Sequence, residues 1–357
     1  CIRNTLMGRA CDDFDFATAF TPDLVAQKLT HKGWSVHEIG KSHGTIVTVH
    51  KGYRYEITTL RQDIKTDGRH AQVRFSSSFD DDAKRRDFTM NALSMDRHGT
   101  VYDYVQGLQD IQRKCVRFIG NPQSRIHEDY LRILRYFRFQ AWYGTNWDNE
   151  SFQACVQYCD RVLSLVSLPR LSQEIRRLFQ ASSLLPVAEF MKQHQVWSKL
   201  WHQTVTSTPE NLRRLISLEP QAPSSIHIIW LYRWLSLNLP LTLTWTNKEK
   251  KIIDIFLKHP QFQTSTDILS SRLNPESLYH HLMCQYLHNP KINIRDDFQA
   301  WHQHQKFPLR GKHVKNWGYT GPSVGQILQE ARKIWAQENG ALSVSDLKRF
   351  FTKTESY

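Results

Sequence analysis

The chain has 357 residues, with 47 Lys and Arg against 34 Asp and Glu and a formal charge of +13; this is enough for roughly two to four folded units and suits a polyanionic partner such as nucleic acid. Six cysteines without paired C-x-x-C spacing argue against a disulfide framework or a zinc site. No apolar run of about 18 residues and no signal-peptide pattern occurs, so no membrane association is expected and the chain is read as cytoplasmic.

The first chemistry-bearing stretch is "RACDDFDFAT", residues 9–18. Side chains alternate along a strand, so Asp13 and Asp15 emerge on one face and Phe14 and Phe16 on the other. The run reads as a buried strand. Its aspartates are either the solvated face of an edge strand or oxygen ligands for Mg²⁺, a hard ion bound by one or two carboxylates together with substrate phosphates. "GTIVTVHKGYRYEITTL" predicts a hairpin turning at Lys51-Gly52. Glu56 in its second strand is placed to face the same cleft, with Arg54 as an alternative partner. "RQDIKTDGRHAQVRFSSSFDDD" lacks an apolar period and reads as a long mobile loop. "DDDAKRRDFTMNALSMD" reads as a helix with Arg85, Arg86, Asp87 and Asn91 within a turn and a half, donors and acceptors suited to phosphate and ribose. "ALSMDRHGTVYDYV" predicts a second hairpin around His98-Gly99.

After Gly120 the apolar residues recur at three- and four-residue spacing, so an α+β head is followed by an all-helical remainder. "EDYLRILRYFRFQAWYG" is the strongest helix; it stops at Gly144 and places Asp129 and Arg132, at i and i+3, on one face. In "SLPRLSQEIRRLF", Arg170 and Glu174 form an i,i+4 pair. Near the C-terminus, "FPLRGKHVKNWGYTGPSVGQIL" interleaves Arg310, Lys312, Lys315 and Trp317 with glycines, and Gly321 and Gly325 flank a helix start; this fits contact with an RNA backbone. "YHHLMC" and "WHQHQ" lack convincing ligand spacing and are assigned no metal.

In order and spacing, "DDFDFAT", "HGTIVTV", "EITTLR", "RRDFTMNALSMD", "DYVQGLQDI" and "RIHEDYLRILRYFRF" resemble the class II tRNA nucleotidyltransferases, the CCA-adding enzymes that share a family with bacterial poly(A) polymerases. The resemblance implies a polymerase-β-like head (1–120), a helical neck that selects the base (121–180), a helical body (181–300) and a helical tail that binds tRNA (301–357). It implies that CTP and ATP are added to the tRNA 3′ end as CCA without a nucleic-acid template, with pyrophosphate released and no obligate protein partner. Carried over, Asp13 and Asp15 hold Mg²⁺, two ions being expected, and Glu56 is a candidate third carboxylate. Arg3, Arg86, Asp87, Asn91, Asp129, Arg132, Arg135 and Arg170 fall among the nucleotide-binding residues, with Glu128 and Arg135 bracing the Asp129–Arg132 pair. Arg310, Lys312 and Lys315 fall to RNA.

The base choice has a physical basis. Cytosine and adenine both present an exocyclic amine beside a ring-nitrogen acceptor, which a carboxylate and a guanidinium match; uracil and guanine turn a carbonyl toward the carboxylate. Three positions depart from the family. "CIRN" keeps Arg3 but has Asn4 for Asp and lacks the preceding pair of glycines, so the natural chain is expected to begin earlier. Pro169 stands where Glu is usual, and His313 where Asp is common. Within the family the alternative is a poly(A) polymerase or a partial CC- or A-adding enzyme; outside it, a non-catalytic RNA-binding protein on the same scaffold. The segment from Arg61 to Val73 resembles the mobile loop used in switching to ATP, which favours the full CCA activity.

Overall fold

A computed structural model describes residues 1–11, 14–41, 44–67, 70–202, 209–218, 229–237, 239, 242–258, 283, 287, 307–338 and 342–351. Chain contacts divide it into two compact units, Cys1–Val205 with Pro240–Thr244, and Thr206–Leu239 with Trp245–Tyr357.

In the first unit, four strands form one sheet in the order β1-β4-β3-β2: β1 (Asp15–Thr18), β2 (Ser35–Gly40), β3 (Thr45–His50) and β4 (Tyr53–Thr59). The β-branched run from Thr45 to Val49 suits a pleated surface. Its turn is at Lys51 and Gly52, both at positive φ (49° and 80°) as a tight hairpin demands. The helix Pro22–His31 packs against β2 and β3. Ile46 and Thr48 on one face are fully buried. Residues of the other parity, Asp15, Glu56 and Val47, keep solvent contact.

The β1 run is not a buried strand. It lies at the sheet edge, parallel to β4 only, and Phe14 and Phe16 are 55% and 47% exposed. Its apolar side chains line a cleft instead of a core. The segment expected as a loop from Arg61 to Asp82 instead carries two strands and the start of a helix: β5 (Arg61–Asp67) and β6 (His70–Phe75) pair antiparallel, with a register shift between Asp63 and Lys65, and a helix begins at Phe79. Two polar strands satisfy each other's backbone groups without the apolar alternation that marks a strand in sequence. The hairpin around His98-Gly99 is present as β7 (Leu93–Met95) and β8 (Val101–Asp103), with Gly99 at φ 86°.

The helix expected to carry Arg85 through Asn91 is short. It spans Phe79–Lys84, capped by the Ser78 side chain with three aspartates in its first turn, and a 3₁₀ turn at Thr89–Asn91 follows. The long helix expected over "EDYLRILRYFRFQAWYG" is also broken. Pro122–Glu128 ends where Asp129 turns extended (φ −159°, ψ 107°), and Leu131–Tyr143 starts anew, stopping at Gly144. The helix Leu168–Phe179 packs on Leu131–Tyr143. Phe88 and Phe118 meet Tyr136 at ring-centre distances of 6.2 and 5.8 Å, so aromatic packing ties the helix Leu131–Tyr143 to the preceding part of this unit.

In the second unit the described helices include Pro209–Leu218, Ile229–Ser236 and Asn247–Lys258. Three more, Gly311–Asn316, Pro322–Gln337 and Val344–Phe351, surround a core of Leu309, Val314, Ala331, Trp335 and Leu347. Most of "YHHLMC" and all of "WHQHQ" lie outside the described residues. Among the described residues no helix is long and apolar enough to cross a membrane.

Candidate active site

A cleft of about 890 Å³ opens in the first unit, lined by residues from the N-terminal helix, β1, the turn after Phe79–Lys84 and the helices Leu131–Tyr143 and Leu168–Phe179. Among its described lining residues are nine arginines against four aspartates. That excess of positive charge suits a ligand with several negative charges.

Asp15 enters from β1; Asp12 and Asp13 lie outside the described residues. Glu56 is the register partner of Asp15 on β4, so both carboxylates leave the same face of adjacent strands, about 4.8 Å apart along the sheet. Glu56 is also hydrogen-bonded by Arg54 and is not among the cleft's lining residues. Two exposed carboxylates on rigid strands are a donor set that fits Mg²⁺, whose remaining ligands are usually water and phosphate.

Arg86 donates from Nε and Nη2 to Asp82 at 3.1 and 2.9 Å, and from Nη1 to the Asn91 carbonyl at 3.2 Å. Arg85 binds the same carboxylate at 2.8 Å. Asp82 is buried and was not singled out in the sequence, although its i+3 and i+4 spacing to these arginines was the available signal. Despite the short helix, Asp87 and Asn91 do meet: Asn91 Nδ2 donates to Asp87 Oδ1 at 2.9 Å, as does the Phe88 amide. Arg135 Nε donates to Oδ2 at 2.7 Å. Burial alone would raise the Asp87 pKa, but Arg135 and these hydrogen bonds outweigh it and hold the carboxyl below its ordinary value.

A prediction follows from the sign of that shift. Asp87→Asn leaves Arg135 facing a neutral amide and lowers stability by about 3 kcal/mol, as for a broken buried pair. The Asp87 contribution is present above the unfolded carboxylate pKa and is lost as pH falls through the lower folded value. Denaturant melts of both proteins should therefore differ at neutral pH and converge in acid; an equal gap at all pH values would refute the assignment.

Asp129 and Arg132 are not arranged as a helical i,i+3 pair. Because Asp129 lies in the break between helices, its carboxylate turns to Arg170, which donates from Nη2 to Oδ2 at 2.6 Å and from Nη1 to Oδ1 at 3.3 Å. Arg132 Nη1 instead donates to Glu128 at 2.5 Å and to the Arg125 carbonyl at 2.8 Å. Glu128 thus braces Arg132 as expected, whereas Arg135 braces Asp87. Glu174, expected to pair with Arg170, is buried and instead accepts from Arg138 at 2.6 Å, with Arg135 and Arg177 at 3.6 and 3.8 Å. Asp129, Arg132, Arg135 and Arg170 all line the cleft, together with Arg138 and Arg177, which sequence reasoning missed. The signal for Arg138 was the three-residue spacing of Arg132, Arg135 and Arg138 in "LRILRYFRF".

Arg310, Lys312 and Lys315 lie in the second unit, exposed around the helix Gly311–Asn316. His313 Nδ1 accepts from the Arg310 amide at 3.1 Å, so the unusual histidine caps that helix. Gly321 has φ 60° immediately before Pro322–Gln337, and Gly325 lies inside that helix.

The Poly A polymerase head domain matches residues 1–117. The Danio rerio protein named "CCA tRNA nucleotidyltransferase 1, mitochondrial" is 30% identical over 97% of this chain and 84% of its own length. The chain belongs to the CCA tRNA nucleotidyltransferase family. Solved structures agree in fold. The Bacillus stearothermophilus CCA-adding enzyme in complex with CTP superposes with a TM-score of 0.65 at 24% identity, covering 94% of this chain and 87% of that one. The Thermotoga maritima CCA-adding enzyme complexed with tRNA gives 0.69 at 17% identity, covering 97% and 88%. The residues matched by the Poly A polymerase head domain contain β1 to β8 and Asp15, and the cleft's Arg132, Arg135, Arg138, Arg170 and Arg177 come from the helices beyond it.

Proposed function

We propose that this chain adds CCA to the 3′ end of tRNA from CTP and ATP without a nucleic-acid template: the tRNA 3′-hydroxyl attacks the nucleotide α-phosphate and pyrophosphate leaves. The observation that carries this reading is the convergence, in one arginine-rich cleft, of Asp15 from the sheet edge with Asp129 and Arg132 from the neck. Family membership supports it, as do the CTP and tRNA named for the two solved relatives.

Arg3 and Arg86 are assigned to the triphosphate, with Asp87 and Asn91 fixing their surroundings; Asp129 and Arg132 are assigned to the base edge, with Arg135 and Arg170 in support. Asp15, with Asp13 and Glu56, would hold Mg²⁺. When bound, such ions lower the pKa of the attacking hydroxyl and neutralise charge at the α-phosphate and the departing pyrophosphate. Residues 1–120, 121–180, 181–300 and 301–357 are read as head, neck, body and tail, and Arg310, Lys312 and Lys315 as contacts to the tRNA backbone. The cytosolic location expected from the sequence stays part of this proposal, set against a Danio rerio relative named mitochondrial.

The test is to incubate the protein with tRNA ending at the discriminator base and each nucleotide, singly and together, and to sequence the products. CCA ends support the reading. A homopolymer of A, or arrest at CC, moves the chain to the alternative within the family; binding of tRNA without any addition makes it an RNA-binding scaffold. A related prediction concerns the β5–β6 hairpin: shortening it between Arg61 and Val73 should leave CC addition intact and stop synthesis before the terminal A. Normal CCA ends from the shortened protein would remove the hairpin from the switch to ATP.

A further inference from the structure

The last residue of the helix Leu131–Tyr143, Tyr143, has no part in the roles above, yet it meets a cleft residue. Arg3 Nη2 donates to the Tyr143 hydroxyl at 2.9 Å, and the Arg3 guanidinium carbon lies 4.1 Å from the centre of the same ring. Phe139, one turn earlier, lies 5.1 Å from that carbon. A hydroxyl and two aromatic rings therefore hold Arg3; the Tyr143 ring also faces Arg9, and Phe139 also faces Arg135 and Arg138, whereas the Tyr143 hydroxyl accepts from Arg3.

The remaining hydrogen bonds of Arg3 among the described residues run to Asn4, from Nε and Nη2, and to Asn91, from Nη1. All of these partners are neutral. Asp87, whose charge also acts on Arg3, is already engaged by Arg135. Burial pushes the guanidinium pKa down, the direction expected of a desolvated charge without a counter-ion in contact. A carboxylate in place of the Tyr143 hydroxyl would neutralise Arg3. A phenol fixes the side chain and leaves its charge available to an anion entering the cleft. Of the five guanidinium N–H groups, one on Nη1 is left without a hydrogen-bond partner among the described residues.

We propose that Tyr143 is a positioning residue for nucleotide binding, holding Arg3 in the geometry in which its guanidinium meets the triphosphate. The proposal rests on the reading of the cleft as the nucleotide site. Fixing Arg3 beforehand removes the ordering cost of a long flexible side chain from the binding step. Tyr143 touches no reacting atom in this arrangement; it acts through Arg3.

The test measures calorimetric binding of inorganic tripolyphosphate and of CTP to the full chain and to Tyr143→Phe, Tyr143→Leu, Arg3→Gln and the Tyr143→Phe/Arg3→Gln double variant. Tyr143→Phe keeps the ring and loses the acceptor, so affinity for both ligands should fall about three- to tenfold, in the range of one hydrogen bond. Tyr143→Leu loses the ring as well and should bind more weakly still. In the Arg3→Gln background Tyr143→Phe should change nothing further, because the route through Arg3 is gone. In nucleotide addition, KM for CTP and for ATP should rise together while kcat holds.

An unchanged affinity in Tyr143→Phe, or an equal loss in the Arg3→Gln background, overturns the proposal. Thermal melts separate a folding defect from a binding one, and Tyr143→Phe retains the packing. Addition of CMP to tRNA by the unaltered chain tests the cleft reading separately. If addition fails while tripolyphosphate binds and the Tyr143 effect vanishes without Arg3, the enzymatic reading falls and the positioning role stands.

Discussion

Asp15→Ala is expected to abolish nucleotide addition, by roughly a thousandfold or more, while tRNA binding stays within about twofold of the unaltered protein. The asymmetry arises from where the groups lie. Asp15 is on an exposed edge strand, beside Glu56 and inside the cleft, so its loss removes an oxygen donor from the proposed metal position without opening a cavity in the core. Affinity for tRNA comes instead from basic side chains neutralising phosphates, among which Arg310, Lys312 and Lys315 are proposed, all in the other compact unit. Asp13→Ala should behave in the same way. Single-turnover incorporation of CMP, with a parallel gel-shift titration, measures both quantities. Retained turnover in either variant, or full activity after chelation of divalent cations, would remove these carboxylates from the metal assignment.

What could be read from the sequence depended on how local the determinant was. The β3–β4 hairpin was legible because two signals coincide, β-branched strands and a Lys51-Gly52 turn that needs positive φ. Asp13 and Asp15 could be placed on one face because alternation along a strand is fixed by backbone geometry, whereas Glu56 stands opposite Asp15 through the β1–β4 register, which alternation alone does not give. The segment from Arg61 to Asp82 reads as a loop for the converse reason. Its pairing is a backbone ladder between polar strands, and no apolar alternation reports it. Asp129 shows a different limit: the apolar period of "EDYLRILRYF" continues smoothly past it, yet its backbone is extended and its carboxylate pairs with Arg170, 41 positions away. Helical periodicity cannot register a two-residue break, and no local pattern announces a partner on another helix. Arg132, Arg135, Arg138 and Arg170 were all visible as charges. Which carboxylate each one meets was set by how Leu131–Tyr143 and Leu168–Phe179 pack, and that is a tertiary fact.

The break at Asp129 sharpens the expectation for base selection. Arg170 fixes the Asp129 carboxylate and Glu128 fixes Arg132, so the two groups are oriented independently and do not neutralise each other. If together they mimic a base edge, Asp129→Ala should let UTP and GTP compete, because no carboxylate then opposes their carbonyls. Arg170, left without Asp129, contributes to a fall common to all four nucleotides and not to their ratio. Arg132→Ala should weaken CTP and ATP alike: the ring acceptor loses its donor in a water-poor cleft, costing on the order of 1–3 kcal/mol, or roughly ten- to a hundredfold in kcat/KM. If Asp129 and Arg132 were simply halves of surface ion pairs with Arg170 and Glu128, both variants would show small and equal effects on all four nucleotides. Measuring kcat/KM for both variants with the four nucleotides, on tRNA ending at the discriminator base and on tRNA ending in CC, separates these cases. An unchanged preference for CTP and ATP in both variants would place the base-selecting groups elsewhere among the arginines of the cleft, where Arg135, Arg138 and Arg177 are already tied to Asp87 and Glu174 and have less freedom to turn toward a base.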